Sequence, residues 1–388
     1  MVIGNWRVGI GLFALAALLA PAVAAQGPLL TRGPYLQSTT RDSTIVVWQT
    51  GTAGDSVVEY GETGYTQVVS STTPVTTHVV SLAGLSAGTT YQYRIETGNT
   101  LLYTSTFATA PDPGGALDFV MVGDSGQGTN GIPNQALIDV AAQMDALDPD
   151  FILHLGDVIY PKGEAANYQP YFFNPYQNLL DGAPIFPSLG NHDYGTPDAQ
   201  PYLDVFYLPA NNPLGTERYY SFDWGDAHFV ALDTTPPRYK DSAMLQWLQS
   251  DLATSTAHWK FVFFHHAVYT SGPHWFDPTR PEMQVTLEPI FMQYDVDLVF
   301  NGHDHDYERS KPQNGVIYIV SGGGGATTYP VLQQQFSAYA ESVHHTVQVQ
   351  IDGCILSLRA INKDGAVIDQ IALAKCPHNL YLPLILKQ

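Results

Sequence analysis

The sequence has few basic residues and few cysteines, and each shortage argues against particular functions or binding sites. Lysine and arginine number 16 against 36 acidic residues, which gives a formal net charge of -20. A surface of this sign repels nucleic acid and anionic membranes, so binding to a nucleic acid duplex is not expected. An anionic substrate needs positive charge supplied locally, and bound cations are the usual source of it in an acidic protein.

The two cysteines, Cys354 and Cys376, lie near the C-terminus and away from the histidine clusters. We therefore exclude both from any metal site. In an exported chain this pair can form a disulfide that joins the last strands. Two unpaired buried thiols are the alternative, and the sequence leaves both open.

Long apolar runs are scarce as well. The stretch from Val8 to Ala20 is too short to span a bilayer comfortably. Because Arg7 precedes it and a proline and small residues follow it, the pattern predicts a secretory signal peptide over residues 1–25, with an uncleaved anchor as the alternative. The apolar tail, residues 377–388, is interpreted as a final strand or a sorting signal. We expect a secreted, extracellular protein without a membrane span.

With 388 residues, the chain is long enough for two domains. Short alternating apolar runs between turn-forming residues predict an all-β sandwich over residues 27–110, with a covering, docking or spacing role. Residues 111–115 are the expected linker, because clustered proline and glycine cannot continue a strand or a helix. Apolar strands then alternate with helical stretches, which predicts an α/β layered domain over residues 116–376.

The second domain is expected to begin with seven strands and three helices. The predicted strands are Phe119–Val122, Phe151–Leu155, Ile185–Leu189, His228–Leu232, Lys260–Phe264, Asp297–Phe300 and Val316–Val320, and the predicted helices are Gln135–Leu147, Ser242–Leu252 and Glu282–Tyr294. Asp241 is the expected N-cap of the second helix.

Five of these strands are followed by side chains that can bind metals. In chain order they are Asp124, Asp157, Asn191 with His192, His265 with His266, and His303 with His305. Strand ends in an open α/β sheet lie along one edge, so we expect these side chains to lie together. Each alone has a plain structural explanation, but five together predict a metal site. Asp157, after a glycine turn, can offer one oxygen to each of two cations, and Tyr160 would bind one of them.

In this order the motifs resemble those of the purple acid phosphatases within the calcineurin-like metallophosphoesterases. They are Gly-Asp-x-Gly from 123, Gly-Asp-x-x-Tyr from 156, Gly-Asn-His-Asp from 190, the histidine at 265 after an apolar run, and Gly-His-x-His-x-Tyr-Glu-Arg from 302. Residues 85–95 also resemble the tyrosine-bearing strand of fibronectin type III domains. The likeness implies an N-terminal all-β sandwich followed by an α-β-β-α sandwich.

The resemblance also implies a ligand set for two metals. One metal would be bound by Asp124, Asp157, Tyr160 and His305, and the other by Asp157, Asn191, His265 and His303. Two carboxylates and a phenolate suit Fe(III) in the first position, whereas the imidazole-richer second position suits Fe(II), Zn or Mn. Where related metallophosphoesterases have a histidine in the first motif this chain has Gly126, and Tyr160 would replace that ligand.

The reaction that such a centre supports is hydrolysis of small phosphate esters, here as an acid phosphatase acting on monoesters. Two cations can hold a phosphate oxygen and activate a bound water, so a metal-bound hydroxide is the expected nucleophile. His192 is the candidate to bind the phosphate and protonate the leaving oxygen, with Asp193 as its expected partner. His265 is preferred over His266 as the ligand by its place in the motif, although Ala267 replaces the family's proline. His274 is a further candidate for substrate binding, with surface packing as the alternative.

Several readings stay open. The aromatic stretches 168–176 and 194–220 are expected to be loops between the motifs, with Asn174–Tyr176 and Asn211–Pro213 as turns. They could stack a leaving group, although packing is the favoured interpretation. The glycine run after Ser321 is expected to form a tight turn near the metal edge and not a P-loop. The alternative functions are a phosphodiesterase or nucleotidase on the same scaffold, an oxidant that uses the iron, and a non-enzymatic protein with a vestigial metal site that associates with the cell surface or cell wall through its β domain.

Overall fold

The structure is a computed structural model and describes Met1 and residues 29–376. The proposed signal peptide and the apolar tail lie outside the described residues. The strands are β1 Leu30–Gln37, β2 Ser43–Gly61, β3 Gln67–Ala83, β4 Thr90–Thr97, β5 Thr100–Ala108, β6 Leu117–Val122, β7 Gly128–Thr129, β8 Ile132–Pro133, β9 Phe151–His154, β10 Ile185–Pro187, β11 Tyr220–Trp224, β12 Ala227–Ala231, β13 Trp259–Phe263, β14 Leu298–Asn301, β15 Tyr307–Ser310, β16 Ile317–Ser321, β17 Ser337–Glu341, β18 His345–Asp352, β19 Ile355–Asn362 and β20 Val367–Ala374. The α-helices are α1 Gln135–Ala146, α2 Ala165–Tyr168, α3 Asn174–Leu180, α4 Gln200–Val205, α5 Ser242–Thr254 and α6 Thr279–Gln293.

Strands β1 to β5 form the predicted all-β domain. Their sheet is antiparallel, and β2 bends at register shifts between Gln49 and Ser56, so that it pairs with β1 and β3 before the bend and with β3 and β4 after it. A strand that changes layers at such an irregularity lets one sheet enclose its own core. Trp48 and Tyr93 lie in that core with no exposed surface. The Tyr91 hydroxyl accepts a hydrogen bond of 2.9 Å from the Ser86 amide, the contact expected of a tyrosine corner.

Two mixed sheets form the second domain. One has the strand order β10-β9-β6-β18-β19-β20, and the other has the order β11-β12-β13-β14-β16-β15-β17. The sheets face each other through aromatic rings, for example Phe119 of β6 against Phe229 of β12 with centroids 5.3 Å apart. Helix α1 covers the first sheet with Leu137 and Met144, and α5 and α6 cover the second. This is the expected α-β-β-α sandwich, and the predicted all-β plus α/β fold is confirmed.

The two domains are in direct contact. The Tyr35 hydroxyl on β1 donates to the Val205 carbonyl at 2.8 Å, and the Arg32 guanidinium lies 3.8 Å from the centre of the Phe173 ring. Both Tyr35 and Phe173 are almost fully buried. The β domain is therefore packed against the helical stretch that follows β9.

The structure differs from the sequence-based expectation in that helical stretch. The first aromatic segment, expected to be a loop, is helical over α2, a π-helical turn at Gln169–Phe173 and α3. Its rings pack inward, and Tyr168, Phe172 and Tyr176 are buried, so packing and not leaving-group stacking explains them. Pro175 suggests a turn in the sequence, yet Pro170 and Pro175 both lie at first-turn positions that a helix tolerates.

Asp241 caps α5 as expected, because its carboxylate accepts the amide hydrogens of Ala243 and Met244. Cys354 and Cys376 are joined by a disulfide, which confirms the disulfide alternative and excludes that of two unpaired thiols. Among the described residues, no helix has the length and apolar character needed to cross a membrane.

Candidate metal centre

The predicted ligands lie close together, where the C-terminal ends of strands from both sheets meet. Asp124, Asp157 and Asn191 follow β6, β9 and β10 of the first sheet, and His265 and His303 follow β13 and β14 of the second. The central strands of each sheet run parallel, so their C-terminal ends emerge on one side. The fold thus brings together side chains that are far apart in sequence.

Three of these residues sit in backbone conformations that side chains disfavour. Asp124, Asp157 and His303 have φ values of 58°, 52° and 71°. Left-handed conformations at non-glycine residues cost about 1 kcal/mol or more each and concentrate at functional sites. The backbone at Gly190 also lies very close to Asp157, since a Cβ on Gly190 would be 2.1 Å from the Asp157 carboxylate. The local backbone is shaped to aim these side chains at a common point.

The first group of predicted ligands surrounds the Tyr160 hydroxyl. Its oxygen lies 2.8 Å from Asp124 Oδ1, 3.1 Å from Asp157 Oδ2 and 3.0 Å from His305 Nε2. All four side chains are at least nine-tenths buried. These are the residues that the resemblance assigns to one metal.

The second group surrounds His265. Its Nε2 atom lies 3.2 Å from Asp157 Oδ2, 3.1 Å from Asn191 Oδ1 and 3.2 Å from His303 Nδ1. Asp157, His265 and His303 each offer a ligand atom within 4.8 Å of the others, which is the spacing of a metal-binding group. Asp157 belongs to both groups, as a bridging ligand must.

Outer hydrogen bonds select which imidazole nitrogen faces the centre. His265 Nδ1 is 2.9 Å from the Leu155 carbonyl, and His305 Nδ1 is 2.7 Å from the Thr327 carbonyl. Because a carbonyl can only accept, each Nδ1 carries a hydrogen, and Nε2 is the nitrogen that is turned toward the centre. Metal-ligating histidines are commonly held in this way.

Electrostatics of the group also suit cations. Burial by itself would lower the pKa of His265, but the carboxylates of Asp157 and Asp124 raise it to about 10. His305 is likewise buried, and Asp124 raises its pKa. Burial raises the pKa of Tyr160 strongly, and the two neighbouring carboxylates raise it further. Burial together with the surrounding imidazoles lowers the pKa of His303 well below its usual value. Two buried carboxylates thus draw positive charge to the position where cations are expected, so the donor set fits a metal pair.

His192 lies at the edge of this group. Its Nδ1 is 2.6 Å from the Pro161 carbonyl, and its Nε2 is 3.9 Å from Asp157 Oδ2. The ring packs on Tyr160 at 4.3 Å and keeps 35% of its side chain exposed. The expected pairing with Asp193 was wrong. The Asp193 carboxylate instead accepts the backbone amides of Val158 and Gly190, because it is buried under the turns that carry the ligands.

The remaining candidates fall into two kinds. His274 lies against the centre, with its ring stacked on that of His303 at 3.8 Å. His266 Nδ1 lies 3.1 Å from the Thr234 hydroxyl, and the His266 ring packs beside that of His303. The glycine run turns back against the metal edge as expected, since the Ala326 amide donates to the Asp124 carbonyl at 2.9 Å.

Sequence reasoning missed two residues of this site. Tyr329 stacks on His305 with ring centroids 4.0 Å apart and an interplanar angle of 10°. The Asp304 carboxylate accepts a hydrogen bond of 2.7 Å from His274 Nδ1. Asp304 occupies the unspecified position of the motif between His303 and His305, so its place near the site could have been noticed. Tyr329 stands in a stretch with no pattern that could have indicated it.

Comparison with known proteins gives a consistent picture. The family description "Calcineurin-like phosphoesterase" matches residues 117–307. Purple acid phosphatase 4 of Arabidopsis thaliana is 30% identical over 245 residues, which cover 55% of this chain and 70% of that protein. Purple acid phosphatase 17 of the same plant is 28% identical over 246 residues, with the same shares covered.

The fold agrees with a solved structure from the same family. Purple acid phosphatase PPD1 from yellow lupin (Lupinus luteus) seeds superposes with a TM-score of 0.78 at 21% identity, covering 88% of this chain and 74% of that one. A fold match at this identity supports the architecture, and the sequence relatives carry the family assignment. The chain therefore belongs to the purple acid phosphatases, the dinuclear metal phosphatases built on the calcineurin-like phosphoesterase fold.

Proposed function

We propose that the protein is a secreted phosphatase that hydrolyses small phosphate monoesters with the two-metal ligand set predicted from its motifs. The observation that carries the proposal is the shared position of Asp157, which lies within 3.2 Å of both Tyr160 and His265. Bound there, two cations supply the charge that holds a phosphate oxygen and activates a water molecule for attack. The ligands would be Asp124, Asp157, Tyr160 and His305 for one metal and Asp157, Asn191, His265 and His303 for the other.

For the metals we propose Fe(III) at the first position and Fe(II), Zn or Mn at the second. The first position offers two carboxylates and a phenol that can ionise on a hard trivalent cation. The second shares one carboxylate and adds a neutral amide and two imidazoles, which suits a divalent ion of borderline softness.

His192 is the proposed general acid for the leaving group. Its Nδ1 hydrogen is engaged by the Pro161 carbonyl, so Nε2 is the nitrogen that remains for a substrate. We expect His192→Ala to lower kcat on an alkyl phosphate by about 100-fold, since positioned proton transfer contributes factors of this order. An aryl phosphate with an acidic phenol should lose much less, because its leaving oxygen needs no proton.

The control for this variant is His258→Ala. His258 directly precedes β13, at the opposite end of the strand from His265. If His192→Ala cleaves both esters at the wild-type rate, or loses the two activities equally, His192 is not the acid.

A direct test of the substrate class compares an aryl monophosphate with a bis-aryl phosphate on the metal-loaded protein. The proposal expects the monoester to be hydrolysed with the larger kcat/KM. A larger kcat/KM on the diester would assign the chain to the phosphodiesterase alternative, and no turnover of either ester by metal-loaded protein would assign it to the non-enzymatic one.

Secretion, with association to a cell surface or cell wall through the β domain, is part of the proposal. The disulfide between Cys354 and Cys376 supports it, because such bonds persist in oxidising compartments. Fractionation of expressing cells tests this point, and recovery of the protein only inside the cell with its signal segment intact would refute it.

A further inference from the structure

Asp304 is a buried carboxylate between two predicted ligands that itself faces away from the metal group. It has no exposed surface, and its side-chain hydrogen bonds run to the segment from Thr270 to His274. The Gly-His-x-His motif assigns no role to this position. We propose that Asp304 is a positioning residue that holds the His274 imidazole in place for the substrate phosphate.

The two oxygens of the carboxylate have different partners. Asp304 Oδ1 accepts from His274 Nδ1 at 2.7 Å and from the His274 backbone amide at 3.3 Å, while Oδ2 accepts from the Thr270 hydroxyl. Because a carboxylate only accepts, the hydrogen on His274 sits at Nδ1. The opposite nitrogen, Nε2, makes no hydrogen bond to the described residues and stays available to a ligand.

A glycine makes this arrangement possible. A Cβ on Gly272 would lie 2.6 Å from Asp304 Cγ, so any side chain there would push the segment off the carboxylate. The Gly272 amide also donates to the Thr270 hydroxyl at 2.9 Å, which closes the turn that carries His274. The loop is therefore built to lie directly on Asp304.

The His274 imidazole is held by ring stacking as well as by its hydrogen bond to Asp304. The His274 ring stacks on His303 with centroids 3.8 Å apart and an interplanar angle of 29°, and the Tyr329 ring lies 6.0 Å away. About a third of the His274 side chain remains exposed. Stacking sets the plane of the ring, and Asp304 sets its rotation within that plane, so together they determine where Nε2 points.

This inference rests on the proposed function, because it concerns how that same site holds phosphate. A purely structural role for Asp304, anchoring the loop through Thr270 and the His274 amide, makes a different prediction. The anchor acts whether or not residue 274 carries an imidazole, whereas positioning acts only through it. A double-mutant cycle separates the two.

The experiment measures kcat/KM on an aryl monophosphate, inhibition by inorganic phosphate, bound metal and thermal stability. Asp304→Ala should lower kcat/KM by about 10- to 100-fold, as loss of such an outer partner commonly does, with the metal content unchanged. Inhibition by phosphate should weaken in parallel. Asp304→Asn should recover most of the activity, because its amide oxygen still accepts from Nδ1. In a His274→Ala background, Asp304→Ala should change kcat/KM by less than about twofold.

Asp304→Leu, which keeps the branched shape of aspartate but has no acceptor, replaces the alanine variant if the latter does not fold. Asp352→Asn, an exposed carboxylate at the β18–β19 turn, is the matched control. Equal losses from the Asp304 change in both backgrounds, or no recovery with asparagine, would overturn the inference while leaving the phosphatase intact. An inactive wild-type protein with both metals bound would instead overturn the proposed function.

Discussion

At the scale of single residues, the centre depends on a few side chains whose backbone is held in unfavourable conformations. Asp124, Asp157 and His303 all have positive φ values, and all three were named from motif position alone. The surrounding packing must stabilise these conformations, since each costs free energy on its own. This explains why the ligand turns rest on buried residues such as Asp193, which accepts amide hydrogens from two of them.

Tyr160→Phe should separate the phenol's role as ligand from its role in packing. Phenylalanine keeps the contact with the His192 ring but removes the oxygen that lies 2.8 Å from Asp124. We expect the visible absorption of tyrosinate-bound Fe(III) to disappear, which a spectrum of the purified protein measures. Tyr194→Phe is the control, because its hydroxyl bonds Asp233 and Arg218 instead. A spectrum unchanged in Tyr160→Phe would exclude Tyr160 as a ligand.

The neighbouring histidines His265 and His266 provide a matched pair. His265 Nε2 faces Asp157 and Asn191, whereas His266 Nδ1 is engaged by the Thr234 hydroxyl. His265→Ala should therefore lose at least one bound metal and more than 1,000-fold in kcat, a loss expected when a two-metal site is broken. His266→Ala should keep both metals. Metal analysis on the two variants decides the assignment, and the reverse result would move the ligand to His266.

Site residues could be predicted from the sequence where a side chain that can bind a metal follows a predicted strand. Asp157 and His265 each follow an apolar run closely, which places both at the edge of a sheet. Tyr329 could not be predicted, because its stack on His305 depends on the path of a loop between β16 and β17. The partner of His192 was wrong for a related reason: adjacency in sequence placed Asp193 beside it, but the turn directs the two side chains apart.

At the scale of elements, the edge of the second sheet contains a charged clamp that the sequence did not indicate. His228 on β12 lies 2.7 Å from Asp223 on β11 and 2.8 Å from Asp251 on α5. Burial alone would lower the pKa of His228, but hydrogen bonds to the two carboxylates raise it to about 9. The clamp thus ties a strand pair to the helix that covers it.

This clamp predicts a pH-dependent contribution to stability. Because the folded pKa of about 9 exceeds the ordinary value of 6.5, the stabilisation is complete below about pH 6.5 and is lost as pH rises through 9. We expect His228→Gln to reduce the free energy of unfolding by about 2 kcal/mol at pH 6, allowing for the exposure of Asp223. The deficit should shrink toward pH 10. Denaturant unfolding at several pH values measures it, and a deficit independent of pH would refute the clamp.

Elements were predictable where apolar periodicity was continuous. Strand β9 and helix α5 lie close to their expected bounds, and Asp241 caps the helix as its position suggested. The helical stretch around Phe172 was missed because its residues are held by tertiary packing on the β domain, which a local pattern does not contain. The β15–β17 pairing was missed for the same reason, since β16 and a long loop separate the two strands in the chain.

At the scale of the whole molecule, an acidic chain must attract an anionic substrate. With 36 acidic against 16 basic residues, the overall field opposes phosphate, and the carboxylates at the meeting of the two sheets concentrate negative charge further. A pair of cations bound at that position would reverse the local field. The fold provides this position, because the two facing sheets bring Asp157 and His265 to within 3.2 Å of each other.

The central claim is that seven side chains from distant segments bind two metals, and the metal content of active protein tests it most directly. Elemental analysis of purified wild-type protein, with kcat measured on the same sample, should give two metal atoms per chain, at least one of them iron. Asp157→Asn, which weakens both positions at once, should bind fewer than one. Full activity in protein that contains a single metal or none, or two metals retained in Asp157→Asn, would contradict the account.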